Sequence, residues 1–453
     1  MPLNATHGKD GAHQFERVHA PRYHLEMGTA RVASIITLGC KLNLADSAEI
    51  ARGLEAQGYA VIDRLCEADA YVLNTCSVTH VADQKSRRLI RAARRMAPGA
   101  RVAVTGCYPQ TAGEARVVEL GADLVVGTRD ADKQRIIEFL GKGGAPRRHP
   151  GGDPSQTLTR AFVKAQEGCN DVCAFCIVPR TRHREESRTI DRVVDEVRTA
   201  VDAGAREVVI TGTQLGAWGR DFAQPLTPDR LIAGILHATD VARLRFSSLQ
   251  PQDITPQLLA VWQDPRVMPH FHLALQSGSP GVLRAMRRRY TAEEYSAAVE
   301  RIEAAVPGVA ITTDVIVGFP GESDEDFELT LDICRRVGFS RIHAFPYSTR
   351  NGTSAALLPG QVPHETKRAR MAALIELGRT LGAGYHARFA GTARPVLWEQ
   401  ESEVEGVPYW RGYTDNYIPV YASGDRMRNR ITPALLDGPL GDGVLGRALG
   451  VTI

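Results

Sequence analysis

Short apolar runs rich in Val, Ile and Leu recur at residues 32–38, 70–74 and 101–105. Runs of this length suit strands buried on both faces, as in a parallel sheet. Between them, residues 44–57 and 81–96 repeat their apolar positions at helical spacing. Strand–helix alternation predicts βαβ units, and right-handed crossovers bring every strand's carboxyl end to one edge. A second alternation begins at residue 160. Residues 161–165 and 207–211 read as strands around a helix at 189–203, whose Ile190, Val193, Val194, Val197 and Val201 form one stripe stopped by Gly204. Further strands fall at 244–249, 270–275, 310–317 and 340–344, and six strands of this kind predict a partial TIM-like (β/α)6 barrel with its site at the strand carboxyl ends. After residue 387 the pattern shortens to strands at 394–400, 409–414, 417–422 and 443–451 separated by turn signals, a small antiparallel barrel.

The expected class is therefore α/β: a parallel-sheet domain at 31–140, a barrel core at 160–386 and an all-β domain at 387–453. Residues 141–159, rich in Gly, Pro and basic side chains, read as a linker, and 1–30 as an extension without the apolar stretch of a signal peptide. A length of 453 residues agrees with two or three domains, and 24% charged with 43% hydrophobic residues describes a globular chain. No apolar run is long enough to span a membrane. The net charge of +3 says little about nucleic acid, so local clusters carry that argument. Lys85, Arg87, Arg88, Arg91, Arg94 and Arg95 crowd one helix; Arg180, Arg182, Arg184 and Arg188 form a second group and Arg287, Arg288 and Arg289 a third. Together they favour an RNA partner, phosphate contacts positioning it. Trp410, Tyr413 and Tyr417, with Arg411, Arg426, Arg428 and Arg430 nearby, offer stacking faces and charge; the alternative is that the aromatics fill a barrel core.

The candidate chemistry is cysteine chemistry. Cys169, Cys173 and Cys176 stand as C-x-x-x-C-x-x-C after a strand, and three thiolates on one loop hold three irons of a [4Fe–4S] cubane. Structural zinc asks for four ligands, usually in paired C-x-x-C form, and no second pair exists; three buried thiols are the other alternative. Cys40, Cys76 and Cys107 each follow one of the first three strands, so the topology brings them to one edge, where a second three-thiolate cluster fits; three independent buried cysteines are the alternative. Six cysteines committed to clusters imply a reducing, cytoplasmic compartment, leaving Cys66 and Cys334 as ordinary thiols.

The C-x-x-x-C-x-x-C loop resembles that of radical S-adenosylmethionine (SAM) enzymes. Residues 36–43 (ITLGCKLN), 74–79 (NTCSVT), 105–107 (TGC), 272–279 (HLALQSGS), 313–322 (TDVIVGFPGE), 345–348 (FPYS) and 412–417 (GYTDNY) resemble the motifs of radical SAM methylthiotransferases, closest to the branch acting on N6-threonylcarbamoyladenosine in tRNA. The resemblance implies two [4Fe–4S] clusters, one on Cys169, Cys173 and Cys176 that cleaves SAM and one on Cys40, Cys76 and Cys107 that carries the sulfur. It implies methylthiolation at C2 of adenosine 37, on a tRNA anticodon stem-loop bearing threonylcarbamoyl, with an electron donor and a sulfur donor. It assigns SAM contacts to Gly212, Gln214, Gln276, Ser277 and Gly318, with βα turns that need Gly or Pro as the alternative, and makes the last segment a TRAM domain, an OB-like RNA-binding module. This chain departs from the pattern with Arg182-His183 where Arg-Gly is common, and with Gln250 where related enzymes often have Glu. Rival readings are a sister enzyme acting on isopentenyladenosine or on a ribosomal-protein aspartate, and a non-catalytic RNA-binding iron–sulfur sensor.

Overall fold

The computed structural model describes residues 31–141 and 159–449, so the expected extension and nearly all of the expected linker lie outside the described residues. In the first domain β1 (Arg31–Thr37), β2 (Tyr59–Ile62), β3 (Ala70–Thr75), β4 (Arg101–Gly106) and β5 (Leu124–Val125) form a parallel sheet in the order β2-β1-β3-β4-β5. All six residues of β3 are buried, as its apolar run predicts. Helices α1 (Lys41–Glu55), α2 (His80–Met96), α3 (Cys107–Ala112), α4 (Glu114–Glu119) and α5 (Asp130–Gly141) connect and cover it. The edge strands β2 and β5 have four and two residues, too short for a hydrophobic pattern to announce them.

The second unit holds six parallel strands: β6 (Arg160–Lys164), then, after the small antiparallel hairpin β7 (Gln166–Glu167) and β8 (Glu186–Ser187), β9 (Glu207–Thr211), β10 (Arg243–Phe246), β11 (His270–His272), β12 (Ala310–Val317) and β13 (Arg341–Pro346). Two three-stranded sheets, β6-β9-β10 and β11-β12-β13, are joined by parallel bridges between Leu249 and Leu273 and between Leu244 and Val267. Among the described residues no ladder joins β6 to β13, so the barrel is open on that side. Its core lies between strands and helices. In α7 (Ile190–Asp202), which follows the short α6 (Val178–Thr181), Val193, Val194 and Val197 are buried, each contributing about 1.5–3 kcal/mol.

The last unit is a closed five-stranded barrel of β14 (Ala393–Val404), β15 (Val407–Thr414), β16 (Pro419–Ala422), β17 (Ile431–Leu440) and β18 (Gly443–Ala448) around Trp398, Val420 and Leu436. β17 escapes sequence reasoning because Pro433, Gly438 and Pro439 interrupt it; Pro433 pairs in register with Pro395, and a register shift between Leu436 and Pro439 absorbs the other two. Among the described residues no helix is long and apolar enough to cross a membrane.

Candidate active site: two facing sets of cysteines

β1, β3 and β4 are adjacent and parallel, so the loops after them share one edge of the sheet. Cys76 and Cys107 follow β3 and β4 directly, and Cys40 caps the start of α1. Two glycines let these loops converge. Gly39 has φ 106°, and a side chain there would place its Cβ 3.1 Å from Cys76 Sγ. Gly106 has φ 95°, and a Cβ there would collide with the Thr75 carbonyl oxygen. Two asparagines lock the turns. Asn43 Nδ2 donates to the Leu38 oxygen at 2.6 Å and to the Thr75 oxygen at 3.2 Å, and Asn74 Nδ2 donates to the Asn43 oxygen at 2.8 Å. Arg350, arriving from beyond β13, is buried and donates to Ser77 Oγ at 2.9 Å and Asp83 Oδ2 at 2.8 Å, fastening the Cys76 loop to the barrel.

The second set lies on the connection between β7 and β8. The Asp171 amide donates to Cys169 Sγ at 3.4 Å, and Arg288 Nη1 donates to Cys173 Sγ at 3.2 Å. Helix α3, which begins at Cys107, rests on α6, which begins two residues after Cys176, so the two sets face each other. Cys107 lies close enough to Cys176 to disfavour its thiolate. Burial pushes the thiols of Cys76 and Cys169 up to about 12 and that of Cys176 to about 11, with neighbouring thiols adding to the effect. A bound metal reverses this, because a coordinating thiol gives up its proton. Three soft donors in each set suit a [4Fe–4S] cluster with one iron free of protein ligands.

Around the carboxyl ends of the barrel strands, buried polar atoms lack partners. Thr213 Oγ1 after β9, Ser247 Oγ after β10 and Gln276 Oε1 after β11 have no hydrogen bond among the described residues. Unpaired buried groups of this kind call for a partner, either ordered water or a polar ligand. Gln276 also adopts φ 65°. The other sequence-selected residues play different parts. Gln214 donates to Asp253 Oδ2 at 3.3 Å, and its amide donates to Gln166 at 2.9 Å. Gly212 lies directly against Leu215 and Gln166, and Gly318 lies under the Lys367 stem with its amide on Glu322. Ser277 is fully buried, its hydroxyl engaged with Thr330 and the Ser279 amide. The sequence points to the turn 211–214 without singling out Thr213, and the signal for Ser247 is no more than a short hydroxyl residue after a barrel strand.

Both departures from the motif pattern acquire reasons. His183 has φ 61°, a left-handed conformation that glycine adopts freely. His183→Gly is expected to stabilise the protein by about 0.5 kcal/mol, relief of strain outweighing the entropy of the unfolded glycine. The urea midpoint of the holoprotein checks this. Gln250 Nε2 donates to Asp171 Oδ2 at 3.0 Å, while its Oε1 accepts from Arg288 at 3.2 Å. It thereby links the loop's carboxylate to the guanidinium that touches Cys173. Glutamate would set a second carboxylate against Asp171.

Several expectations are corrected. Arg182 and Arg188 do not face RNA; both are buried in an ionic network between the first domain and the barrel. Arg182 reaches Asn43, Asp46 (3.2 Å) and Glu167 (2.7 Å), and Arg188 reaches Glu49 (3.0 Å), Asp130 (2.8 Å) and Glu196 (2.5 Å). Arg288 serves the cysteine loop, and Arg289 pairs with Asp171 at 3.0 Å. Tyr413 and Tyr417 are not stacking platforms. Tyr417 lies flat on His270 at 4.8 Å and accepts from Arg160 at 2.7 Å, while Asn416 donates to the Tyr385 hydroxyl at 2.9 Å. The TDNY segment thus fastens the small barrel to the foot of the large one.

Comparison with known proteins agrees with this construction. Residues 32–127 match the family described as Uncharacterized protein family UPF0004, and residues 163–334 the Radical SAM superfamily. Threonylcarbamoyladenosine tRNA methylthiotransferase MtaB of Bacillus subtilis is 37% identical over 410 residues, 86% of this chain and 89% of the relative. A tRNA-2-methylthio-N(6)-dimethylallyladenosine synthase of Cereibacter sphaeroides is 36% identical over 450 residues, 94% of this chain and 100% of the relative. Among solved structures, the radical SAM methyltransferase TsrM of Kitasatospora setae shares the fold, with TM-score 0.51 and 16% identity over 83% of this chain and 79% of that one. Fold and site define a radical SAM enzyme. More narrowly, the chain belongs to the radical SAM tRNA methylthiotransferase family, whose members use SAM and [4Fe–4S] clusters.

Proposed function

We propose that this enzyme adds a methylthio group to C2 of N6-threonylcarbamoyladenosine at position 37 of tRNA, and that the facing of the two cysteine sets across α3 and α6 carries the reading. Cys169, Cys173 and Cys176 hold the cluster that binds SAM, and Cys40, Cys76 and Cys107 hold the auxiliary cluster. Bound there, the clusters and SAM supply the radical and the sulfur, which an unactivated aromatic C–H requires and side chains cannot provide. The chain's own groups do the positioning. Arg288 and Gln250 hold the Cys173 loop, and Arg350 holds the Cys76 loop. Thr213, Ser247 and Gln276 offer unpaired polar atoms to SAM, and the tight turns at Gly212 and Gly318 bring backbone near it. The threonylcarbamoyl substrate is supported by the 37%-identical relative named for it.

The small barrel from residue 387 reads as a TRAM domain, with Arg426, Arg428 and Arg430 exposed beside it, and the cluster thiols suit a reducing cytoplasm. On α2, Lys85, Arg88, Arg91 and Arg95 are exposed and form no ion pair among the described residues. This stripe reads as a phosphate-contact surface for the tRNA. Replacing Arg88, Arg91 and Arg95 by Ala is expected to weaken tRNA binding and to reduce the slope of log affinity against log salt by about one for each arginine that meets a phosphate, measured by fluorescence anisotropy.

The substrate is tested by incubating anaerobically reconstituted protein, SAM, sulfide and a reductant with equal amounts of threonylcarbamoylated and isopentenylated tRNA. Nucleoside mass spectrometry should show the 2-methylthio derivative of the threonylcarbamoyl base. Product on the isopentenyl base alone overturns the substrate. No product on either, with 5′-deoxyadenosine still formed, overturns the tRNA reading in favour of a protein substrate.

A further inference from the structure

The inner face of the large barrel carries a charge arrangement that SAM cleavage does not use. Phe271, Leu273, Ile311 and Val315 face the helices in the core, so the alternate residues of β11, β12 and β13 face the lumen. His272 is opposite Thr312, and Asp314 opposite His343. His272 Nε2 lies 3.3 Å from Asp314 Oδ2, and its Nδ1 lies 3.1 Å from Thr312 Oγ1. The rings of His272 and His343 are 5.8 Å apart, and His270 sits one layer deeper against Tyr417. Burial holds both His270 and His343 neutral, His343 at about 4.

Lys41 lies beside this layer. It is the first residue of α1, which lies along β6 on the open side of the barrel, near enough to His270, His343 and Tyr417 for its charge to be felt by all three. It is half-buried and has no carboxylate partner among the described residues. Arg341, exposed at the lumen's rim beside His343, likewise forms no ion pair among the described residues. The carboxylate of this layer is Asp314, engaged with His272; deeper in, Glu207 is already paired with Arg245 at 2.8 Å. The layer therefore carries surplus positive charge beside neutral imidazoles, which suits an anionic group bearing hydrogen-bond donors and disfavours a hydrocarbon.

Lys41 follows Cys40, a proposed ligand of the auxiliary cluster. In adenine, C2 and C6 flank N1, so a base with C2 at that cluster directs its N6 substituent only a few bonds away along the same edge. A threonylcarbamoyl group ends in a carboxylate and carries ureido N–H and hydroxyl donors, whereas a dimethylallyl group is apolar. We propose that Lys41 binds the carboxylate of the threonylcarbamoyl group, with His343 receiving one of its hydrogen-bond donors, and that this subsite selects the threonylcarbamoyl base. The inference rests on the methylthiotransferase reading above.

The test pairs a change in the enzyme with a change in the substrate. Wild-type enzyme, Lys41→Met and Lys41→Arg are assayed on an anticodon stem-loop bearing threonylcarbamoyladenosine and on one whose threonyl carboxylate is converted to the carboxamide. Wild type should lose roughly 10- to 100-fold in kcat/KM on the carboxamide, Lys41→Met should lose as much on the natural substrate and respond little to the carboxamide, and Lys41→Arg should recover part of the loss. Iron content and tRNA-independent 5′-deoxyadenosine formation are measured alongside; if Lys41→Met loses its cluster, the wild-type comparison alone decides. Equal wild-type rates on both substrates, or equal sensitivity of wild type and Lys41→Met to the carboxamide, overturn the subsite while leaving the proposed function standing. No methylthio product from wild type on either overturns the function and the subsite together.

Discussion

Cys173→Ala is expected to abolish 5′-deoxyadenosine formation from SAM, while Cys76→Ala retains it and loses methylthiolation. The two thiols sit on opposite sides of the α3–α6 contact, and the proposed function gives them different steps. Cys173 is the thiol that Arg288 touches at 3.2 Å, within a loop that Gln250 and Asp171 hold to β10's carboxyl end. With it missing, a second iron of that cluster has no protein ligand, and the loss in SAM cleavage should reach about 10^3-fold or more, because no acid–base route replaces the radical. Cys76 is buried beside Gly39 and Cys107, on the first domain. Its removal leaves the barrel site intact. Parallel quantification of 5′-deoxyadenosine and methylthio nucleoside separates the two; the same profile from both variants would sink the division of labour.

The second large effect is structural. Arg182→Met is expected to destabilise the protein by about 3–5 kcal/mol, because it strands buried carboxylates rather than removing a whole ion pair. Arg182 joins Asn43 and Asp46 of α1 to Glu167 of the β7–β8 hairpin, so it spans the junction that sets the distance between the cysteine sets. Burial would raise the Asp46 carboxyl, yet Lys164, Arg182 and Lys133 hold it at about 2. Asp46's contribution is thus complete above pH 4, near the ordinary carboxylate value of 3.8, and is lost as the pH falls toward 2. Urea titration of the variant at neutral pH measures the loss. A cost below about 1 kcal/mol would mean that the remaining lysines or water compensate the orphaned acids.

The cysteine arrangement was legible because topology does the work: once residues 32–38, 70–74 and 101–105 are parallel strands, the residues after them must meet. The barrel was legible for the same reason, each strand being an apolar run between helical patterns. The fate of the arginines was not. Arg182 and Arg188 stand in a basic stretch that looks solvent-facing, and their partners Asp46 and Glu49 lie 136 and 139 positions away. Tyr417 is similar. Its aromatic neighbours suggested an RNA surface, but His270, which it covers, belongs to another domain. Local pattern fixes which face of an element is apolar; it carries no information about which distant charge will be brought against a buried one.

Iron and acid-labile sulfide analysis, with Mössbauer spectra, of the wild type and of a variant with Cys40, Cys76 and Cys107 all replaced by Ala tests the two-cluster account most directly. Wild type should hold about eight irons per chain as two cubanes, and the variant about four, still cleaving SAM. An unchanged iron content in the variant, or loss of all iron with the fold preserved, would contradict it.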